Sequence, residues 1–261
     1  MKHLSFKKYC TLQKGHPMTE FVSASIVICV VSETELLKNT ISALYASCNH
    51  KDIGEILMVY PDKVTDDSLN IILDIEASAT DIPVKSVLQK HPGLGGALKD
   101  AFELAGSSHI LGLPADKAID LSCVPILIDK AKENPDVIFS TSRWLLKGSF
   151  SDYNKIKLIL NRIAQLFLRI LFKQNLTDLT NPVQIAPASM YKSILWESSG
   201  FAILLELVLK PLRLGYRFIE IPVKCFQQLD GKPKKSLIKT VANYFIMALH
   251  VRFMKKINIL K

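Results

Sequence analysis

Ser25-Ile26-Val27-Ile28-Cys29-Val30-Val31 is the stretch on which the fold turns. It is apolar and β-branched without a break, where a strand with one solvated face would alternate, so it reads as a strand buried on both faces of a parallel sheet. The segments after it repeat the theme. Glu33–Cys48 carries Leu36, Leu37, Ile41, Leu44 and Tyr45 at helical spacing, and Glu55–Tyr60 is a second buried strand. Asp67–Ala77 reads as a helix, Val84–Leu88 as a strand, Gly95–Ala105 as a helix opened by glycines, and His109–Leu113 as a strand. Val124–Glu133 and Asp136–Ser140 add one more helix and strand. Strands alternating with helices at this spacing define an α/β fold, a mostly parallel sheet flanked by helices on both faces.

The rhythm changes after residue 150. Lys155–Lys173 is a long helix with a broad apolar face and five basic residues, Gly200–Leu214 is another helix, Arg217–Val223 a strand and Ser236–Lys256 a last helix. This divides the chain into an extension (1–22), one α/β domain (23–235) and a C-terminal basic amphipathic helix (236–261).

Hydrophobic residues make up 49% of the 261 and charged ones 22%, which excludes a disordered chain. Cys10, Cys29, Cys48, Cys123 and Cys225 are scattered, with no CxxC and no Cys/His cluster. That argues against a disulfide framework or a structural zinc site and fits a reducing cytosol. No signal peptide is recognisable and no uninterrupted apolar run is long enough to span a bilayer, so a cytoplasmic location is expected. The net charge of +9 is uneven. Residues 1–150 hold 15 basic and 18 acidic side chains, and residues 151–261 hold 18 and 6. A basic excess fits a phosphate-bearing substrate, a membrane surface or nucleic acid. No nucleic-acid motif or aromatic platform is present, so nucleic acid is not an expected partner.

Ligands of open α/β sheets bind beyond the carboxyl ends of the strands. The residues found there are Val31, Ser32 and Glu33, then Pro61 and Asp62, then the glycine turn Gly93-Leu94-Gly95-Gly96, then Pro114-Ala115-Asp116, then Arg143. Glycines admit close approach of backbone to a ligand, and a carboxylate can hold a hard divalent cation against phosphates. The glycine turn lacks the Lys-Ser/Thr of a P-loop and the GxGxxG spacing.

The order of these motifs resembles family 2 glycosyltransferases of the GT-A type, closest in layout to the dolichyl- and polyprenyl-phosphate sugar transferases. The resemblance spans about residues 24–256. It continues through Asp178-Leu179-Thr180-Asn181-Pro182-Val183-Gln184, Glu206, Gly215-Tyr216-Arg217, Glu220-Ile221-Pro222-Val223 and Gly231-Lys232-Pro233-Lys234. It implies a GT-A-like, Rossmann-type sheet that binds a nucleotide-sugar and passes the sugar to a polyprenyl-phosphate or glycan acceptor at the cytosolic membrane face. Donor contacts would come from Val31, Glu33, Asp62, Gly93, Gly95 and Arg143. Asp116 would be the catalytic and metal-binding residue, with Mg²⁺ or Mn²⁺ on the diphosphate. The acceptor phosphate would meet Asp178, Gln184, Lys234 and Lys235.

The sequence departs from that pattern at four acids or arginines: the first acid of the DxD is Pro114, one of the paired aspartates is Pro61, and two arginines are Gln184 and Gln228. Proline offers no side-chain ligand, and glutamine cannot replace the charge of arginine. A catalytically inactive homologue acting as a binding protein is the first alternative, and a nucleotidyltransferase the second. Several residues also have plain structural readings: Glu33 as a helix cap, Asp62 as a turn residue, Arg143 as one half of a local ion pair, and the glycines as a tight helix start. Glu206, on an apolar helix, requires a cationic partner. The C-terminal helix is expected to touch the membrane surface with its basic and apolar residues.

Overall fold

The structure is a computed structural model and describes residues 19–116, 119–149, 155–181, 183–226 and 237–261. Its first half alternates as the sequence does: β1 (Ala24–Cys29), α1 (Glu35–Ser47), β2 (Ile53–Tyr60), α2 (Asp66–Ser78), β3 (Val84–Leu88), α3 (Gly93–Leu104), β4 (His109–Pro114), α4 (Cys123–Glu133) and β5 (Ile138–Ser142). There follow α5 (Lys155–Phe172), β6 (Gln184–Pro187), α6 (Ala188–Ser193), α7 (Ile203–Leu214), β7 (Phe218–Pro222) and α8 (Leu237–Phe253). The described strands form one sheet in the order β3-β2-β1-β4-β6-β5-β7. All neighbours are parallel except β6, which runs against both β4 and β5.

Both faces of the sheet are covered, which is why β1 reads as a continuous apolar run. Ala24, Ile26 and Ile28 face α1, α2 and α4 through Leu37, Leu44, Ile72 and Leu127. Val27 faces the opposite side, with Ala101 and Phe102 of α3 and Ile203 and Leu207 of α7. A third apolar cluster joins Leu168 and Phe172 of α5, Leu205 and Leu209 of α7, and Ala248 and Val251 of α8.

The register sets the site. Cys29 of β1 lies opposite Val59 of β2 and Pro114 of β4, so the chain leaves the sheet toward Val31, Asp62 and Asp116 side by side. Ser142 of β5 lies opposite Pro222 of β7, so Arg143 and the segment 223–226 also emerge together.

The other sheet edge is held by a buried carboxylate. Glu55 accepts from Ser25 Oγ (2.8 Å), Gly106 N (2.7 Å) and Lys85 Nζ (2.7 Å). Burial opposes its ionisation, but these donors outweigh burial and hold the carboxyl below its ordinary 4.5. The folded protein then binds fewer protons than the unfolded chain, so this stability is present above the usual glutamate value and is lost as pH falls through the lowered one. Glu55→Gln is expected to cost about 1.5–3 kcal/mol at neutral pH, the range of charge-assisted hydrogen bonds. The gap between the urea midpoints of wild type and variant should narrow below pH 4.5; a gap independent of pH contradicts the assignment.

Candidate functional site

Glu33 turns back on the strand it follows: Oε2 accepts from Val31 N (2.7 Å) and Ser32 N (3.0 Å). It clamps the β1–α1 turn, while α1 itself starts at Glu35 with no side-chain cap. Val31 and Asp62 stand exposed beside it. One residue the sequence reading missed shapes the neighbouring loop. Asp100 of α3 is buried and accepts from Lys90 N (2.6 Å), His91 N (3.0 Å) and His91 Nδ1 (2.6 Å). Burial alone would raise its pKa, but the His91 and backbone donors carry it below the ordinary aspartate value. Its signal was available: an acid on an apolar helix face, as at Glu206.

The glycines of α3 serve a different neighbour from the one expected. A Cβ at Gly93 would lie 2.3 Å from Ser199 O, one at Gly95 2.0 Å from Ser198 O, and Gly93 has a φ of +78°. Gly95 N also donates to Ser199 O (2.9 Å). The close approach is therefore to the backbone of residues 198–199, which seats that loop on the opening turn of α3. The loop is fixed from behind by Glu206, whose two oxygens accept from Glu197 N (2.8 Å) and Ser198 N (2.9 Å). The cation Glu206 requires is Lys210, Nζ to Oε1 2.6 Å, both side chains fully buried. Between this loop and α8 lies a cavity of ≈ 460 Å³, lined among others by Glu197, Ser198, Phe201 and Tyr244. Ser198 Oγ is buried there and bonds no described atom.

On the β5–β7 side, Arg143 is paired. Nε and Nη2 donate to Asp178 at 2.7 and 2.8 Å, the backbone N of Arg143 adds 3.1 Å, and Nη2 reaches Thr180 Oγ1 at 3.2 Å. Gln165 of α5 donates to Asp178 (3.3 Å) and Thr180 (2.9 Å) and accepts from Leu179 N (2.8 Å). Glu220 of β7 accepts from Thr177 N, Thr177 Oγ1 and Asp178 N. Burial pushes the Glu220 carboxyl up and the Asp178 charge adds to it, against those hydrogen bonds. The Cys225 thiol records what else converges: burial raises it, Arg143 opposes, and Asp178 and Asp116 raise it further. Tyr244 of α8, pushed up to about 12 by burial, also feels Arg143. Asp116, Arg143 and Asp178 thus act on Cys225 together, and Arg143 acts also on Tyr244 in the middle of α8. A backbone bridge between Ile119 and Cys225 ties the Asp116 loop to the segment after β7.

Two expectations change on this geometry. Gln184 is not at a phosphate: it is the first residue of β6, 1% exposed, and its Nε2 donates to Tyr191 Oη (3.1 Å) and Leu207 O (3.4 Å) inside the core. Asp178 is 2% exposed and acts through Arg143, so it positions rather than contacts. Lys234 and Lys235 lie outside the described residues. Among the described residues no three His, Cys, Asp or Glu side chains gather to hold a metal ion. Asp116 is one carboxylate, and Pro114 adds no side-chain ligand. That set fits Mg²⁺ or Mn²⁺ only as the protein anchor of an ion already carried by substrate phosphates, a common arrangement for Mg²⁺.

A mostly parallel sheet with acids, a glycine-opened helix and an arginine at its carboxyl edge places the chain in the class of open α/β folds, whose ligands bind beyond that edge. Within that class the chain belongs to Glycosyl transferase family 2, whose profile matches residues 25–197, and it is a glycosyltransferase. It is 24% identical to an undecaprenyl-phosphate mannosyltransferase of Micrococcus luteus over 80% of this chain and 86% of that protein. Glucosyl-3-phosphoglycerate synthase of Mycobacterium tuberculosis shares the fold. Its complex with Mn²⁺, UDP and phosphoglyceric acid superposes with a TM-score of 0.63 at 13% identity, covering 93% of this chain and 86% of that one. Its complex with Mn²⁺, UDP-glucose and glycerol 3-phosphate gives 0.62 at 14%, covering 92% and 86%. Family membership sets aside the nucleotidyltransferase alternative.

Proposed function

We propose that the protein moves a hexose from a nucleoside-diphosphate sugar to the phosphate of a polyprenyl lipid at the cytosolic membrane face, with a glycan hydroxyl as the second candidate acceptor. The observation that carries the reading is that Asp116 after β4 and Arg143 after β5, the latter bound to Asp178, leave the same carboxyl edge of the sheet, with the Ile119–Cys225 bridge between their loops. The Micrococcus relative supports the lipid-phosphate acceptor.

In this reading an acceptor phosphate oxygen forms the new bond to the anomeric carbon as the bond to the nucleoside diphosphate breaks. A phosphate monoester is largely ionised at neutral pH, so no side chain has to remove a proton. Val31, Glu33 and Asp62 face the nucleoside, the first two through the clamped turn. Gly93 and Gly95 contribute by seating the 198–199 loop beside the sugar. Asp116 would hold a divalent cation brought by the donor phosphates, and that cation would offset charge on the leaving group. Arg143 is charge-balanced by Asp178, so Lys234 and Lys235 are left to meet the acceptor phosphate.

Calorimetry with UDP, GDP and CDP, with and without Mn²⁺, tests the donor half. One nucleotide is expected to bind at micromolar concentration with Mn²⁺, and Mn²⁺ alone to give no heat, since one carboxylate does not hold the ion unaided. Failure of all three nucleotides to bind overturns the reading. Binding without sugar transfer to lipid extracts from membranes would favour the inactive homologue.

A further inference from the structure

We propose that α5 and α8 together form one docking face for an anionic bilayer, with α5 supplying much of the apolar contact. This deepens the lipid-acceptor reading and rests on it only for the purpose of docking, since attachment can be measured without turnover.

The apolar residues of α5 divide into two opposite stripes. Leu168 and Phe172 point into the cluster shared with α7 and α8. Ile159, Ile163, Leu166 and Ile170 recur at i, i+4, i+7 and i+11, which places them on one face of a helix. Ile163 is 57% exposed and Ile170 69%. Core packing therefore accounts for the first stripe and not for the second. The last helix repeats the pattern: Ala248 and Val251 are buried, while Ile246, Leu249 and Phe253 lie on the outer side, Phe253 76% exposed. The two helices touch, with the Phe167 and Phe245 rings 4.5 Å apart and Arg252 Nε donating to Leu171 O at 2.9 Å. Two outward apolar stripes on adjacent helices make a patch, and contiguous exposed apolar surface marks an interaction site.

Charge selects the occupant. Residues 155–173 carry five Lys or Arg and no acid, and so do residues 237–261. Arg162, Arg169, Lys173, Arg252, Lys255 and Lys256 lie on or next to the described turns of these helices. Apolar stripes edged mainly by cations fit anionic headgroups above an acyl layer, and the acid beside α8, Glu197, is itself held by Lys210 and His250. A second copy of the chain would bring the same sign of charge to the same place, which opposes self-association through this face. No described helix is long and apolar enough to cross a membrane, so the face lies in the interface plane. Gln165 of α5 donates to Asp178 and the Arg162 guanidinium lies 4.8 Å over the Trp144 ring, next to Arg143, so a docked face holds the site next to the lipid surface.

Flotation of the full chain tests this, with vesicles of phosphatidylcholine alone or containing about 30% phosphatidylglycerol. The chain is expected to float with the anionic vesicles, and about 0.5 M salt should weaken the attachment by screening. Ile163→Glu with Ile170→Glu should lower the bound fraction at least roughly tenfold, because both side chains would carry charge into the acyl layer. Both positions are exposed, so the melting temperature and the calorimetric nucleotide binding should be retained. Unchanged flotation of that variant, or equal flotation with neutral vesicles, overturns the proposal. A dimer by light scattering that the variant loses would assign the face to a second copy instead. Removing residues 236–261 is a poorer test, since it would strip Ala248 and Val251 from the core.

Discussion

Lys210→Met is expected to destabilise the fold by about 3–5 kcal/mol, the cost of leaving a buried charge without its partner. Lys210 and Glu206 are both fully buried, one helical turn apart on α7, with Nζ 2.6 Å from Oε1. Lys210 also donates to Glu197 Oε2 (2.8 Å) and to Leu195 O. Without it, the Glu206 carboxylate keeps only the backbone donors of Glu197 and Ser198. For a chain of this length each kcal/mol shifts the midpoint by roughly 2–4 °C, so a drop of about 10 °C is expected in a thermal melt. The double variant Lys210→Met with Glu206→Leu should recover part of that loss, because no charge is then stranded. Recovery stays incomplete, since the backbone N–H groups of Glu197 and Ser198 lose their acceptor. A Lys210→Met protein that melts with the wild type would show that the pair is not what secures the 195–199 loop.

That loop also marks where sequence reading stops. The alternating first half was legible because strands buried on both faces leave apolar runs, as in β1, β2 and β4, and the edge strand β3 (VKSVL) and β5 (IFSTS) then follow the same spacing. Glu206 was legible as a paired group because an acid among leucines has few other options, and its partner is the lysine four residues on. The strand β6 was not, because four residues between the segment 177–183 and a short helix show no period. Gln184 was assigned to a ligand by position in a motif, yet the antiparallel insertion of β6 puts its side chain in the core. The glycines were legible as a site of close approach. The partner of that approach lies about a hundred residues away and is a backbone, which no local pattern encodes. The Arg143–Asp178 pair spans 35 residues and could be stated only as one alternative. The basic character of α5 and α8 was plain in the sequence. That α5 turns a second apolar stripe outward follows only from knowing which face meets α7.

Asp116→Asn is the sharpest test of the chemistry. The side chain follows β4, one residue beyond a buried alanine, at the point where Asp62 and Val31 also leave the sheet. With Pro114 in the other acid position, Asp116 is the one acid of the Pro114-Ala115-Asp116 turn that can face a diphosphate's cation. Asparagine keeps the shape and removes the charge. Loss of one preorganised electrostatic contact to a leaving group typically costs a factor of about 10²–10³ in kcat. The same loss is expected here, with nucleotide affinity in Mn²⁺ falling to its value without the ion. Because Asp116 is partly exposed and outside the strand, the melting temperature should stay within about 1 kcal/mol equivalent of wild type. This separates the variant from Lys210→Met, whose defect is in folding. If Asp116→Asn transfers sugar at the wild-type rate, the charge at this strand end is not used, and the cation, if the reaction takes one, is held by the substrate alone.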